Sequence, residues 1–382
     1  MVDRVFLHIG LPKTATSYLQ TIIWSQREVL RERGLVVPGT ERRDHLWASR
    51  AVRGDLRDDA PAQHRTAWPR LCAELADARG TGLVSHEFFA AASSDQARAV
   101  VAALPTAEVH VVVTAREPLG LFAASWQESL KNGATTPMAD YARTESPRSS
   151  AIWNWRTLDL RLVLERWGEA VPPERTHVIV LDPEAAREDV WHRFGSVVGL
   201  DTDGVDVSRS FPNSSMGVAE AETLRRLNGA LDGFGSAFDR GVWIRTFLAD
   251  ERLVPRRGDR FWPDPDQVQE CRERGAAAIA HLASRPYDVV GDVAHLQVPL
   301  DLEPRRLTSS VTEAEVAEVA VGLAATLLGD VRSATRQARQ APPPSVPEAP
   351  ARRRAAVRRA ARAARAARSR AGAWRRRLSP GR

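Results

Sequence analysis

The residues best suited to chemistry stand together near the start of the chain, in Gly10-Leu11-Pro12-Lys13-Thr14-Ala15-Thr16-Ser17. A loop that leaves a strand and enters a helix presents unpaired backbone N–H groups and the positive end of the helix dipole to an anion. Lys13 adds a compact charge, and Thr14, Thr16 and Ser17 add hydroxyl donors. Together they suit a phosphate or a sulfate. The spacing is not Gly-x4-Gly-Lys-Ser/Thr, the loop that cradles a nucleoside triphosphate. No later strand is followed by an Asp in the usual magnesium-binding manner, so neither a metal–triphosphate site nor any other metal site is expected. Two further groups stand at predicted strand ends. Arg116 follows Val111-Val112-Val113-Thr114-Ala115, and Ser85-His86-Glu87 follows Gly82-Leu83-Val84. Ligands of open α/β sheets bind at carboxyl ends of strands. His86 and Glu87 cannot face the same way in extended chain, a constraint that relaxes just past the strand.

Strand and helix patterns position these groups. Val5–Ile9 reads as a short buried strand, and Leu19, Ile22, Ile23 and Leu30 fall at helical spacing, so the chain opens strand–loop–helix. Further strand-like runs are Leu35–Val37, Gly82–Ser85, Val109–Thr114 and His177–Leu181. Helical patterns fill Trp68–Ala78, Asp95–Ala103, Pro118–Leu130 and Leu158–Trp167. Strands of near-continuous Val, Ile and Leu alternating with helices predict an α/β fold with a central parallel sheet flanked by helices. Residues 215–330 read as mainly helical, with Thr308-Ser309-Ser310 as candidate caps for a helix over Val311–Leu328. His8 is expected as a satisfied core histidine, and His45 as part of a surface loop or, less simply, of an acceptor pocket. Trp153, Trp155, Trp167 and Trp191 are expected in the core or a groove wall, and Asn213-Ser214-Ser215 as a helix cap.

Charge divides the chain. The net charge of +6 hides a segment from Ala351 to Arg382 with 13 Arg and no acidic residue, so the remaining 350 residues carry −7. The basic isoelectric point therefore belongs to an appendage, and specific nucleic-acid binding is not expected of the body. The domain reading is 1–330 for the α/β body, 331–350 for a Pro/Ala-rich linker built around Ala341–Pro347, and 351–382 for the Arg/Ala-rich tail. Solvated, the tail is an inert extension; as a helix it presents an arginine stripe to an anionic lipid surface. The two cysteines, Cys72 and Cys271, form no disulfide framework, and no apolar run reaches membrane-spanning length. A cytoplasmic protein is expected, membrane-associated if the tail docks. Only Lys13 and Lys131 are lysines among 54 basic residues.

At these residues the chain resembles the sulfotransferases that use 3′-phosphoadenosine 5′-phosphosulfate. Their loop after the first strand reads Pro-Lys-Thr-Gly-Thr-Ser/Thr, matched here by Pro12, Lys13, Thr14, Thr16 and Ser17, with Ala15 in place of Gly. The resemblance covers roughly residues 4–200. It implies a P-loop NTPase-like three-layer fold, no metal, and a 5′-phosphosulfate held by residues 12–17, with Lys13 by the bridging oxygen. It implies that Arg116 holds the 3′-phosphate, with a Ser eight residues on. That position is Ala124, so Ser125 takes the role if the helix start shifts. Ser125-Trp126-Gln127-Glu128 is similar to the Trp-Gln-Glu helix of bacterial members. The family keeps a base, His or Glu, near the carboxyl end of the strand that carries Leu83-Val84-Ser85 here; Glu87 is the first choice and His86 the second or a supporting group. The acceptor, a small molecule or glycan among others, is open.

Two rival classes are also open to this sequence. A P-loop kinase or phosphohydrolase would bind ATP with magnesium. A non-catalytic protein would act through its basic tail and be indifferent to Lys13 and Glu87.

Overall fold

The computed structural model describes residues 2–208 and 215–340. Its centre is a six-stranded sheet in the order β2-β3-β1-β4-β5-β7. The strands are β1 (Arg4–His8), β2 (Leu35–Val36), β3 (Thr81–Ser85), β4 (Glu108–Ala115), β5 (Thr176–Val180) and β7 (Asp288–Val290). All are parallel, with His8 level with Ser85 on one side and Val112 on the other. A separate parallel pair joins β6 (Phe261–Trp262) to β8 (Arg306–Leu307). The α/β class with a helix-flanked parallel sheet is as predicted. β7 was not legible, being three residues of a pattern too short to register.

Burial on both faces explains the apolar strands. On one face Phe6, Leu83, Val112 and Ile179 meet Leu19, Ile22 and Ile23 of the helix Thr16–Ser25 and Trp191, Phe194 and Val198 of the helix Asp189–Val198. The helix Pro265–Ala283 packs on both Pro118–Lys131 and Leu160–Gly168. β1 is flanked by β3 and β4, and its connection runs to one side while that of β4 runs to the other. The carboxyl ends of β1 and β4 thus frame the crevice where open sheets bind ligands.

The opposite edge of the sheet is tied by a chain of four side chains. Glu108 accepts from His110 Nε2 at 2.7 Å, His110 Nδ1 meets His177 Nε2 at 2.9 Å, and His177 Nδ1 meets Asp288 Oδ2 at 2.6 Å. It links β4, β5 and β7.

The C-terminal part is mainly helical, as predicted, and includes a π-helix at Arg240–Leu253. The last described helix begins at Glu313, with Thr312 rather than Thr308–Ser310 as its cap: Thr312 Oγ1 accepts from Glu315 N, and Glu315 reaches back to Thr312 N. That helix runs to Gln340, past the 330 boundary drawn from composition, because the first helix-breaking prolines come only after Ala341. Residues up to Leu323 form one compact unit, and of a second unit that begins at Ala324 the described residues are 324–340. The Pro-rich segment and the arginine tail lie outside the described residues. Among the described residues no helix is long and apolar enough to cross a membrane.

Trp191 is fully buried and its indole N–H has no hydrogen-bond partner. Trp191→Ala should cost about 3–5 kcal/mol in urea denaturation. Trp191→Phe should cost less than about 1.5 kcal/mol, because it also removes the unpaired donor. Equal losses would contradict this packing.

Candidate functional site

The loop after β1 is held from beneath by a hydrogen-bonded chain whose protons can be assigned. Thr14 Oγ1 donates to Leu11 O at 2.6 Å, which uses its only hydrogen. Its 2.7 Å contact with Thr114 Oγ1 therefore has Thr114 as donor. Thr114 then has no hydrogen left for His8 Nε2 at 3.3 Å, so Nε2 carries the ring proton. Neutral His8 accepts at Nδ1 from Ser85 Oγ at 2.8 Å. Burial, partly offset by Glu87, pushes His8 down to about 4, consistent with a neutral ring. His8 is a core histidine, as expected.

This chain corrects one expectation. The Thr14 side chain faces the core, not the cleft, so only its backbone can serve an anion. Thr16 and Ser17 line the cleft with Pro12, Lys13 and Ala15. Lys13 and Ala15 both adopt positive φ, at 67° and 62°. Ala15 therefore stands where glycine is natural, and the left-handed conformation costs an L-residue roughly 1–2 kcal/mol. Gly10, at φ 24°, has no space for a side chain: a Cβ would lie 2.5 Å from Thr16 Cγ2 and 2.8 Å from Thr114 Oγ1. The loop turns the start of the Thr16 helix into the cleft with no side-chain cap and no acidic residue in its first turn. Those amides are unmatched donors facing an open space.

The cleft above the loop has a volume of about 1000 Å³. Arg116 lines it, half-exposed and 3.2 Å from Glu117. Glu117 itself caps the Pro118 helix through Gly120 N at 2.8 Å, so the ion pair and the cap are both present beside the cleft. A Cβ on Gly120 would strike both side chains, at 2.2 Å from Glu117 Oε1 and 2.4 Å from Arg116 Nη2. Ser125 does not reach this space. It is buried and shares a 2.7 Å hydrogen bond with Tyr141 Oη, while Ala124 takes the cleft-facing position without a hydroxyl. The helix starts at Pro118 without the one-residue shift that would have turned Ser125 outward.

Of the two base candidates, Glu87 lines the cleft and His86 is not among the lining residues. His86 Nδ1 accepts from Phe88 N at 3.1 Å and caps the turn that begins with Glu87. Gln20 Nε2 donates to Glu87 Oε2 at 2.9 Å, and Arg42 holds Gln20 Oε1 at 2.9 Å. Burial raises the Glu87 carboxyl, but a protonated His86, the hydrogen bond from Gln20 and the charge of Arg42 act against it and leave it below its ordinary value; with His86 neutral, Gln20 and Arg42 remain to hold it. Glu87 is thus a fixed anion at neutral pH.

His45 is neither a surface-loop residue nor a pocket residue. It is buried within the helix Arg42–Val52, with Nδ1 accepting from Ser85 N at 3.1 Å and Nε2 donating to Pro38 O at 2.9 Å. Trp155, Trp167 and Trp191 are core, whereas Trp153 lines the cleft edge-on to Phe88. Asn213 and Ser214 lie outside the described residues. Ser215 lines the cleft, and the N-cap of the helix Val218–Ala230 is Gly217.

The sequence assigned no site role to the far wall, although Glu128 stands in the Trp-Gln-Glu run and Lys131 is one of the two lysines. Glu128, Lys131, Arg245, Asp250 and Arg260 all line the cleft, as do Phe261 and Trp262 of β6. Both lysines of the chain are therefore there. Lys13 Nζ is 3.1 Å from Glu128 Oε2, Arg245 pairs with the same carboxylate, and Lys131 Nζ is 2.5 Å from Asp250. Burial raises Glu128, but Lys13 and then Arg245 overcome it and hold the carboxyl at about 2. The scarcity of lysine was the one available signal for Lys131. Nothing local marks Arg245 or Asp250, which reach the cleft by long-range packing.

Two measurements test this geometry. His8, His45 and His86 are each lowered by burial from an ordinary 6.5 to about 4. Between those values the unfolded chain binds protons that the folded one refuses, so stability must fall as pH drops below about 6.5. Urea midpoints at pH 7.5, 6.5 and 5.0 should decrease with constant slope; a flat profile would contradict three buried neutral imidazoles. Ala15→Gly should leave stability unchanged or raise it by up to about 1 kcal/mol, while Ala15→Val should lower it by more than about 1 kcal/mol. Indifference to valine would refute the left-handed position.

The chain matches no family model, no curated protein and no solved structure.

Proposed function

We propose that this protein is a sulfotransferase, moving the sulfuryl group of 3′-phosphoadenosine 5′-phosphosulfate to a hydroxyl or amine of an acceptor. The observation that carries the reading is the uncapped start of the Thr16 helix, with Lys13, Thr16 and Ser17, in one cleft with Arg116 at the end of β4. Two separated cationic sites suit a nucleotide bearing phosphates at both 5′ and 3′ positions. The parallel sheet, with its first loop at the carboxyl edge, supports a P-loop NTPase-like architecture.

In the proposed step the acceptor oxygen or nitrogen forms a bond to sulfur while the bond from sulfur to the bridging phosphate oxygen breaks. The loop amides with Thr16 and Ser17 hold the 5′-phosphate, and Lys13 neutralises the charge growing on the bridging oxygen. A lysine suits this task because its compact ammonium moves between partners. Glu87 takes the acceptor's proton; His86 supports it from behind. Arg116 serves the 3′-phosphate without a serine partner. The products are the sulfated acceptor and adenosine 3′,5′-bisphosphate. Saccharide, lipid and small-metabolite acceptors all fit this chemistry. A cytoplasmic setting, with the arginine-rich tail recruiting the enzyme to an anionic membrane, belongs to the same proposal.

The test is a thermal shift together with a transfer assay. Adenosine 3′,5′-bisphosphate at a hundred times its Kd should stabilise the protein by about 2.7 kcal/mol, and Arg116→Ala should remove most of the shift. Sulfuryl transfer should fall at least about 10²-fold in Lys13→Ala and about 10²-fold in Glu87→Gln. A larger, magnesium-dependent shift with ATP, or none with the bisphosphate, would sink the reading.

A further inference from the structure

Glu128 is the point where three elements meet. Its carboxylate is buried, 3.1 Å from Lys13 of the β1 loop and paired on its other oxygen with Arg245 of the π-helix. Three residues further along the same helix face, Lys131 pairs with Asp250 at 2.5 Å. Arg245 and Asp250 are five residues apart, the repeat of i→i+5 hydrogen bonding, so the π-helix turns both toward one α-helical face. The loop cation expected to meet a ligand is therefore already engaged, while the helix amides beside it stay unmatched.

We infer that Glu128 is an internal counter-anion that holds Lys13 in place until the phosphosulfate arrives, and then passes wholly to Arg245. This rests on the proposed reading of the cleft. Without a carboxylate there, Lys13, Arg245 and Lys131 would repel one another across a partly dry space. With a multiply charged anion seated at the helix start, Glu128 and that anion repel. Lys13 can turn its three donors to the ligand on a flexible stem, and Arg245 keeps Glu128 through its planar fork. Glu128 is thus a positioning residue. It raises the charge an anion needs to compete for Lys13, so a monoanion such as chloride is excluded where a phosphoryl group is admitted. The exchange also reaches the π-helix, which supplies one wall of the cleft.

The experiment is calorimetric titration of the full chain with adenosine 3′,5′-bisphosphate and, separately, with pyrophosphate. Glu128→Gln should bind both about ten-fold more tightly, since the competing charge is gone, yet turn over more slowly because Lys13 is no longer held. Arg245→Gln should bind about ten-fold more weakly, because Glu128 then rests on Lys13 alone. A purely structural role would weaken both variants, and parallel losses, or no change in Glu128→Gln, would overturn the inference. If Glu128→Gln does not fold, Glu128→Asp decides: its shorter arm should loosen Lys13 and tighten binding, and weaker or equal binding would overturn it. If wild type binds pyrophosphate but not the bisphosphate, the sulfotransferase reading fails. The opposite shifts of the two variants toward pyrophosphate would still uphold the counter-anion, and parallel shifts would overturn it. Binding of neither probe defeats both.

Discussion

Everything at the carboxyl edge of the sheet depends on a neutral His8. Its ring lies in the core between β3 and β4, and the proton order Ser85, His8, Thr114, Thr14, Leu11 leaves no side-chain hydrogen spare along that line. Buried polar chains of this kind are stable only when every member is satisfied. The chain spends the Thr14 hydroxyl on anchoring the loop, and so determines which groups remain for a ligand: amides, Lys13 and the outward hydroxyls of Thr16 and Ser17. Ser85 also donates its backbone N–H to His45, which extends the support to the helix Arg42–Val52 and through Arg42 and Gln20 to Glu87. The loop and the carboxylate across from it thus stand on one connected scaffold.

Above that scaffold the cleft is organised by opposite charges rather than by an excess of positive ones. Lys13 and Arg245 share Glu128, Lys131 faces Asp250, and Arg116 faces Glu117. Paired charges in a partly buried site keep each other ionised and keep their geometry. This matches a body whose net charge is negative once the arginine tail is set apart. The strained left-handed residues Lys13 and Ala15 lie in the same few positions, where backbone strain is retained because the surrounding contacts over-determine it.

The sheet was legible because parallel strands buried on both faces are written as apolar runs. The five predicted strands all lie in it. The loop was legible because a strand-to-helix turn with Pro-Lys-Thr leaves few other readings. What could not be read was direction. Thr14 and Thr16 are two residues apart with the same chemistry, yet Thr14 faces the core and Thr16 lines the cleft, with the left-handed Ala15 between them. Ser125 and Ala124 are neighbours, and only the start of the helix at Pro118 decides which one meets the cleft. His45 looked like a loop residue because the helix around it has a charged outer face; its buried side is supplied by β3 and Pro38.

The sequence by itself determined the alternation of strands and helices, the strand–loop–helix that opens the chain with Lys13 in its loop, the placing of Arg116 and Glu87 at strand ends, and the concentration of positive charge in the tail. These follow from local periodicity, turn chemistry and composition, which each residue carries with it. Only the tertiary structure decided that Lys13 meets Glu128 across more than a hundred residues of chain, that Arg245 and Asp250 close the far wall, and that His8 fixes the hydrogens beneath the loop. Those facts depend on the packing of a π-helix against the Pro118 helix and on strand order. Both are set by the summed burial of many residues, which no single motif encodes.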